Sequence, residues 1–276
     1  MQFAPISLSQ IKEQLAQLQT YQLAEPATLP VSPAPLGTRR SAPPLAAPDV
    51  LVPTPDAAVV ANGVVSFVSG MSEQNKADVR NSYLFATLVA TNEFPEDKDG
   101  AAWYKKFGEV MINLGWAVTA KNYARYSARD QSLSMDRVGL QIISSLVASA
   151  AVPVGMGPAL LNAAGKALDG LKNARNDEPL KLFSTNANKA ESGQFTLGSC
   201  AEDSDGEVIM AFGAFHCRTS ENRGNLLFVR WNSGSTQVYT GSTQLALNPM
   251  TYAVARPMVL AALGDHVRAA IASYQI

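Results

Sequence analysis

The chain has 276 residues, with 22 Lys and Arg against 23 Asp and Glu, and only 16% of it is charged, below the roughly 25% of an average soluble domain. Hydrophobic residues make up 47%, so charge is scarce and core is not. This balance excludes the broad basic field of a nucleic-acid-binding protein, and a chain of this length needs no metal or disulfide framework to fold.

Residues 1–24 open without the basic and apolar pattern of a secretion signal, because Glu13 and several Gln interrupt any apolar run before Leu23. Leu8, Ile11, Leu15 and Leu18 instead recur at helical spacing behind Ser7 and Ser9, which predicts a short amphipathic helix with a serine cap. A helix this short is marginal alone. It either packs on its own domain or serves as a recognition helix for a protein partner. Residues 25–56 hold nine of the sixteen prolines and read as a semi-rigid polyproline spacer. Residues 57–276 then form the expected globular domain.

Ala57 to Met71 is apolar around Asn62-Gly63, a pattern shared by a buried helix and a strand pair. Ser72 caps a predicted helix running to about Asn92, and Phe94-Pro95 with the charged run to Gly100 makes a turn. Trp103, Phe107, Val110, Met111 and Leu114 lie on one stripe of a second helix that Gly115 ends. Trp116 to Thr119 reads as a short strand. The interleaved stretch Lys121 to Tyr126 could stack on bases, but two cations without a wider basic field are a solvated face.

Between Arg137 and Lys166 no residue is charged. Val138, Ile142 and Leu146 trace one helical stripe there, Pro153, Gly155, Gly157 and Pro158 break it, and Leu160 and Leu161 begin a second arm. The first arm is about 22 Å long at 1.5 Å per residue, short of the roughly 30 Å hydrocarbon core. The expectation is a central apolar helical hairpin, either core, a lining for an acyl chain, or an element released to a membrane.

Beyond Asn186 the period becomes alternating. Four strands are predicted, Gln194–Cys200, Val208–Cys217, Leu226–Trp231 and Gln237–Leu247, forming an antiparallel meander. Two helices follow, Met250–Leu263 and Asp265–Tyr274, with Val254, Met258, Val267 and Ile271 facing inward. The fold class is therefore α+β. The acidic run Glu202 to Glu207 lacks the glutamate an EF-hand requires, since position 212 is Phe212, and Asp205-Gly206 reads as a hairpin turn. Cys200 should lie opposite the 207–211 region and far from Cys217, which argues against a disulfide. Two Cys and two His without metal-binding spacing argue against zinc. A nucleophilic Cys200 with His266 or His216 stays open, because such partners meet in space.

The run Leu197-Gly198-Ser199-Cys200-Ala201-Glu202-Asp203, the cysteine about 76 residues from the C-terminus and the helical part followed by a sheet resemble the Evf-type virulence factors of bacteria that colonise insect guts. The similarity covers Ala57 to Ile276. It implies an α/β fold, a palmitoyl group in thioester linkage on Cys200 and membrane association. The expectation is thus a virulence or toxin-like protein, released or delivered to host membranes, with Cys200 acylated and Val138, Ile142, Leu146, Leu160 and Leu161 meeting lipid. No cofactor other than that covalent palmitate is expected. The alternatives are a pore-former using the 138–165 hairpin without acylation, and a cysteine-dependent hydrolase or acyltransferase. A docking protein attached through its N-terminal helix and tether is a further reading.

Overall fold

The computed structural model describes residues 7–24, 56–95, 99–126, 132–148, 152–153, 155–173, 192–219, 231–232, 236–247, 249–264 and 271–274. Nearly all of the proline-rich segment lies outside them, and so do His266, Val267 and the predicted strand Leu226–Trp231, except for Trp231.

The ambiguous apolar run is a strand pair. β1 (Ala57–Val60) turns through Ala61, whose φ of 51° is left-handed, into β2 (Gly63–Phe67). Three long strands follow later, β5 (Ser192–Glu202), β6 (Val208–Thr219) and β8 (Thr236–Leu247). They lie side by side and antiparallel, and β3 (Trp116–Arg125) closes one edge against β8. β3 absorbs the Lys121–Arg125 stretch as an edge strand. At the other edge β9 (Ile271–Tyr274) pairs with β1. That segment was expected to be helical; its backbone instead completes a seven-stranded sheet in the order β3-β8-β6-β5-β2-β1-β9. Among the described strands only the β2–β5 pair is parallel. β4 (Ser132–Leu133) and β7 (Trp231–Asn232) form a separate two-stranded ribbon.

Strand alternation divides the interior into two cores. Met210, Phe212 and Ala214 of β6 face a layer built from α1 (Leu8–Leu18), α2 (Glu73–Glu93), α3 (Gly100–Asn113) and α6 (Pro249–Leu263). Ala211, Phe215 and Cys217 face α4 (Met135–Val147) and α5 (Met156–Lys172). The protein is a mixed α/β sandwich with helices on both faces of one sheet.

Local chemistry explains the helix ends. Ser7 and Gln10 form a reciprocal capping box on α1, the Ser72 side chain accepts from Asn75 N–H on α2, and Asp99 Oδ1 accepts from Ala101 and Ala102 on α3. Gly115, at φ 93°, ends the turn after α3. α1 docks within its own fold: Leu18 is buried, the Asn113 side-chain amide donates to the Tyr21 hydroxyl at 2.7 Å, and Lys106 lies 5.0 Å over the Tyr21 ring.

The most enclosed helix is α2, buried on nearly every side from Asn75 to Ala90. The uncharged segment holds a different place. α4 and α5 pack against each other as an outer layer: α4 buries its apolar stripe on the sheet and shows Gln141, Ser144 and Ser145 to solvent. Uncharged polar residues do here what charged ones do on an ordinary surface helix.

Candidate functional site

Cys200 sits on β5 between Phe67 of β2 and Met210 of β6. Its carbonyl accepts from Val68 N–H at 2.8 Å. Its side chain faces α2 in the first core and is fully buried. Burial pushes the thiol well above its ordinary range. The neighbouring acidic turn is occupied elsewhere. Asp203 Oδ1 accepts from the backbone of Asp205 and Glu207, and Glu202 Oε2 accepts from Ser72 N–H at 2.8 Å. Asn75 donates to Gly206 C=O. The turn is thus a clasp on the N-terminus of α2, where negative charge is favoured by the exposed N–H groups.

Cys217 lies opposite Gly193, seven positions along β6 from the partner of Cys200, which is about 23 Å at 3.3 Å per residue. The two thiols also face different cores, and both are free. His216 is six positions from Met210, about 20 Å along the strand, and its ring packs near Gly100. A nucleophilic Cys200–His216 pair is therefore ruled out by distance, and His266 lies outside the described residues. Among the described residues no cluster of three metal-ligating side chains occurs.

Val138, Ile142 and Leu146 of α4 and Leu160 of α5 are buried, and Leu161 is half-buried. They come together on the sheet: Ile142 lies over Gly213, and the Ser199 hydroxyl donates to Leu160 C=O at 2.7 Å. The sheet separates them from Cys200, which points to the opposite face. No described helix is long and apolar enough to cross a membrane.

Two features were not read from the sequence. The first is the outer face of α6. Met250 is 81% exposed, Val254 47% and Leu260 45%, with Ala253, Pro257 and Ala261 exposed among them. Val254 was expected to face inward; Tyr252, Ala255, Val259 and Leu263 do so instead, and Met258 is half-buried. Arg256 is the one charge of this helix. The usable signal was the near-absence of charge from 249 to 263. The second is a cleft of about 400 Å³ between the end of β2 and α5, with a floor from Phe67, Val68, Ala159 and Ala163 and polar groups at Ser69, Asn162, Lys166 and Asp56.

No family model and no curated protein matches the chain. Solved structures do. A delta-endotoxin superposes with 12% identity over 76% of this chain and 90% of that one, at a TM-score of 0.41. The activated Cyt2Ba monomer from Bacillus thuringiensis subsp. israelensis superposes with 13% identity over 66% of this chain and 96% of that one, at 0.37. The Evf virulence factor, whose family the residues around Cys200 resemble, superposes with 12% identity over 74% of this chain and 82% of that one, at 0.36. These values describe a loosely shared outline of chain and assign no activity.

Proposed function

We propose that the protein is a toxin-like virulence protein that works by associating with a host membrane. The observation that carries the membrane half of this reading is the outward face of α6, six residues at helical spacing without a polar side chain. Ile112 is also exposed, on the last turn of α3, and Gly115 just beyond it lies against Thr251 of α6. A helix that is apolar on its solvent side as well as its core side is suited to the lipid interface. The toxin-like half rests on the resemblance around Cys200.

Transferring the exposed parts of Met250, Val254 and Leu260 into lipid is worth roughly 1 kcal/mol each, somewhat more for Met250. That total corresponds to weak, reversible association, and stable anchoring takes a second signal. S-palmitoylation of Cys200 is the second signal in this proposal. Cys200 and α6 pack into the same core on one side of the sheet, which supports pairing the two signals. The sealed thiol requires acyl transfer from an activated thioester before α2 closes over β5, with release of the donor's thiol.

Flotation with phosphatidylcholine vesicles tests the reading. The wild-type protein floats, and Met250→Glu with Leu260→Glu does not while keeping its circular dichroism. A wild-type protein that stays at the bottom of the gradient overturns it. Intact mass of protein from the native host tests the second signal: an acyl increment removed by hydroxylamine and missing in Cys200→Ser is expected, and an unmodified mass removes palmitate from the proposal.

A further inference from the structure

The cleft beside β2 has the make-up of a small-molecule site, an apolar floor with a few convergent polar groups at the low end of the roughly 300–1,000 Å³ range. One wall is a single stripe of α5, in which Ala159, Asn162, Ala163 and Lys166 stand at i, i+3, i+4 and i+7. The two alanines make the space, since a larger side chain at either position fills it. The other wall is the end of β2, where Phe67 and Val68 supply apolar surface and Ser69 a hydroxyl.

The charges at the rim differ in kind. Asp56 stands at the exposed edge, with Lys76 Nζ 3.9 Å from its Oδ1, an ammonium it shares with Glu73 at 3.2 Å. Lys166 has no ion pair among the described residues and is exposed at the mouth, one turn from the Asn162 amide. It is also the first cation after Arg137, and Asp169 follows it one turn along α5. An ammonium, an amide and a hydroxyl above an apolar floor select a ligand with one negative end and a compact apolar body.

We infer that this cleft binds a small organic monoanion, its acid group on Lys166 and Asn162 and its apolar body on Phe67, Val68 and the two alanines. The site lies beside α5, away from the α6 surface, and it stands whether or not the protein binds membranes.

The test uses the full chain and a matched pair of fluorescent probes, anilinonaphthalene sulfonate and the uncharged phenylnaphthylamine. One charge-assisted hydrogen bond corresponds to a preference of about tenfold or more for the sulfonate. Lys166→Met is expected to erase that preference while leaving the neutral probe bound, and Lys166→Arg to keep it. Ala163→Trp is expected to abolish binding of both probes. Met250→Glu with Leu260→Glu is expected to leave both unchanged. The inference is overturned if Ala163→Trp binds the sulfonate like wild type, if Lys166→Met keeps the full preference, or if the α6 variant is the one that loses the probe.

Discussion

Arg256 of α6 grips Asp78 of α2 with both ends of its guanidinium, Nε at 2.8 Å from Oδ1 and Nη2 at 2.5 Å from Oδ2. Asp78 is fully buried and also receives the Gln74 amide on Oδ1. Removing one partner of such a pair strands the other without water, at a cost of about 3–5 kcal/mol for fully buried pairs. Arg256 keeps a quarter of its side chain exposed, so Arg256→Met is expected near the lower end, about 3 kcal/mol, in urea denaturation. A loss under 1 kcal/mol would show that packing alone holds α6 in place.

The sealed thiols set a labelling pattern. Cys200 is enclosed by the α2 layer and Cys217 by the α4–α5 layer, so the folded protein reacts with maleimide far more slowly than the urea-unfolded chain. Stoichiometric labelling of Cys200 within minutes under native conditions would contradict the packing of α2 on β5.

Burial of titratable groups sets the alkaline limit. Cys217 rises from an ordinary value of 9.0 to about 11, and Tyr104 and Tyr123 from 10.0 to about 12. Burial is the leading cause in each. A group that ionises later in the folded chain stabilises the fold fully below its unfolded value, and that contribution disappears as pH rises through the folded value. Urea midpoints are expected to be level below about pH 9 and to fall between about 9 and 12. Cys217→Ala makes the fall between about 9 and 11 shallower, and the raised Cys200 thiol and the tyrosines keep the rest of it.

Gly241 of β8 lies under the ring of Tyr104, whose hydroxyl bonds to Thr243. A methyl group added at Gly241 would come within 2.5–2.8 Å of three Tyr104 ring carbons. Overpacking of this kind costs about 1–3 kcal/mol. Gly241→Ala is expected to lower the melting temperature and change the near-ultraviolet dichroism of the Tyr104, Phe107 and Phe212 cluster.

Leu160 is fully buried against the sheet. Leu160→Ala is expected to lose about 2–5 kcal/mol, and Leu160→Glu to fail to fold. A folded Leu160→Glu protein would mean that α5 is already loose in solution.

Features written in local spacing were legible from the residues. The caps at Ser7 and Ser72, the buried stripe of α3 and the placing of Cys200 opposite the 207–211 region each depend on neighbours within a turn or a hairpin. What depended on distant partners was not. Ile271–Tyr274 is a strand because β1, some 210 residues earlier, offers it an edge, and four residues are too few to separate the two periods. The face that Cys200 takes follows from strand parity, but which helices cover that face is set by the chain path. The cleft escaped notice because Ala159 and Ala163 look like helix formers, and only the passing end of β2 turns their smallness into space.

The pairing of β2 with β5 also carries a cost during synthesis. The apolar hairpin of β1 and β2 leaves the ribosome about 130 residues before β5 exists to pair with it, a wait of roughly 7–25 s at 5–20 residues per second. Through that interval both of its edges are open, and such edges template association between chains. Yield in the cell therefore depends on how well chaperones shield residues 57–67 while translation continues, and a pause between β2 and β5 favours aggregation over assembly of the sheet.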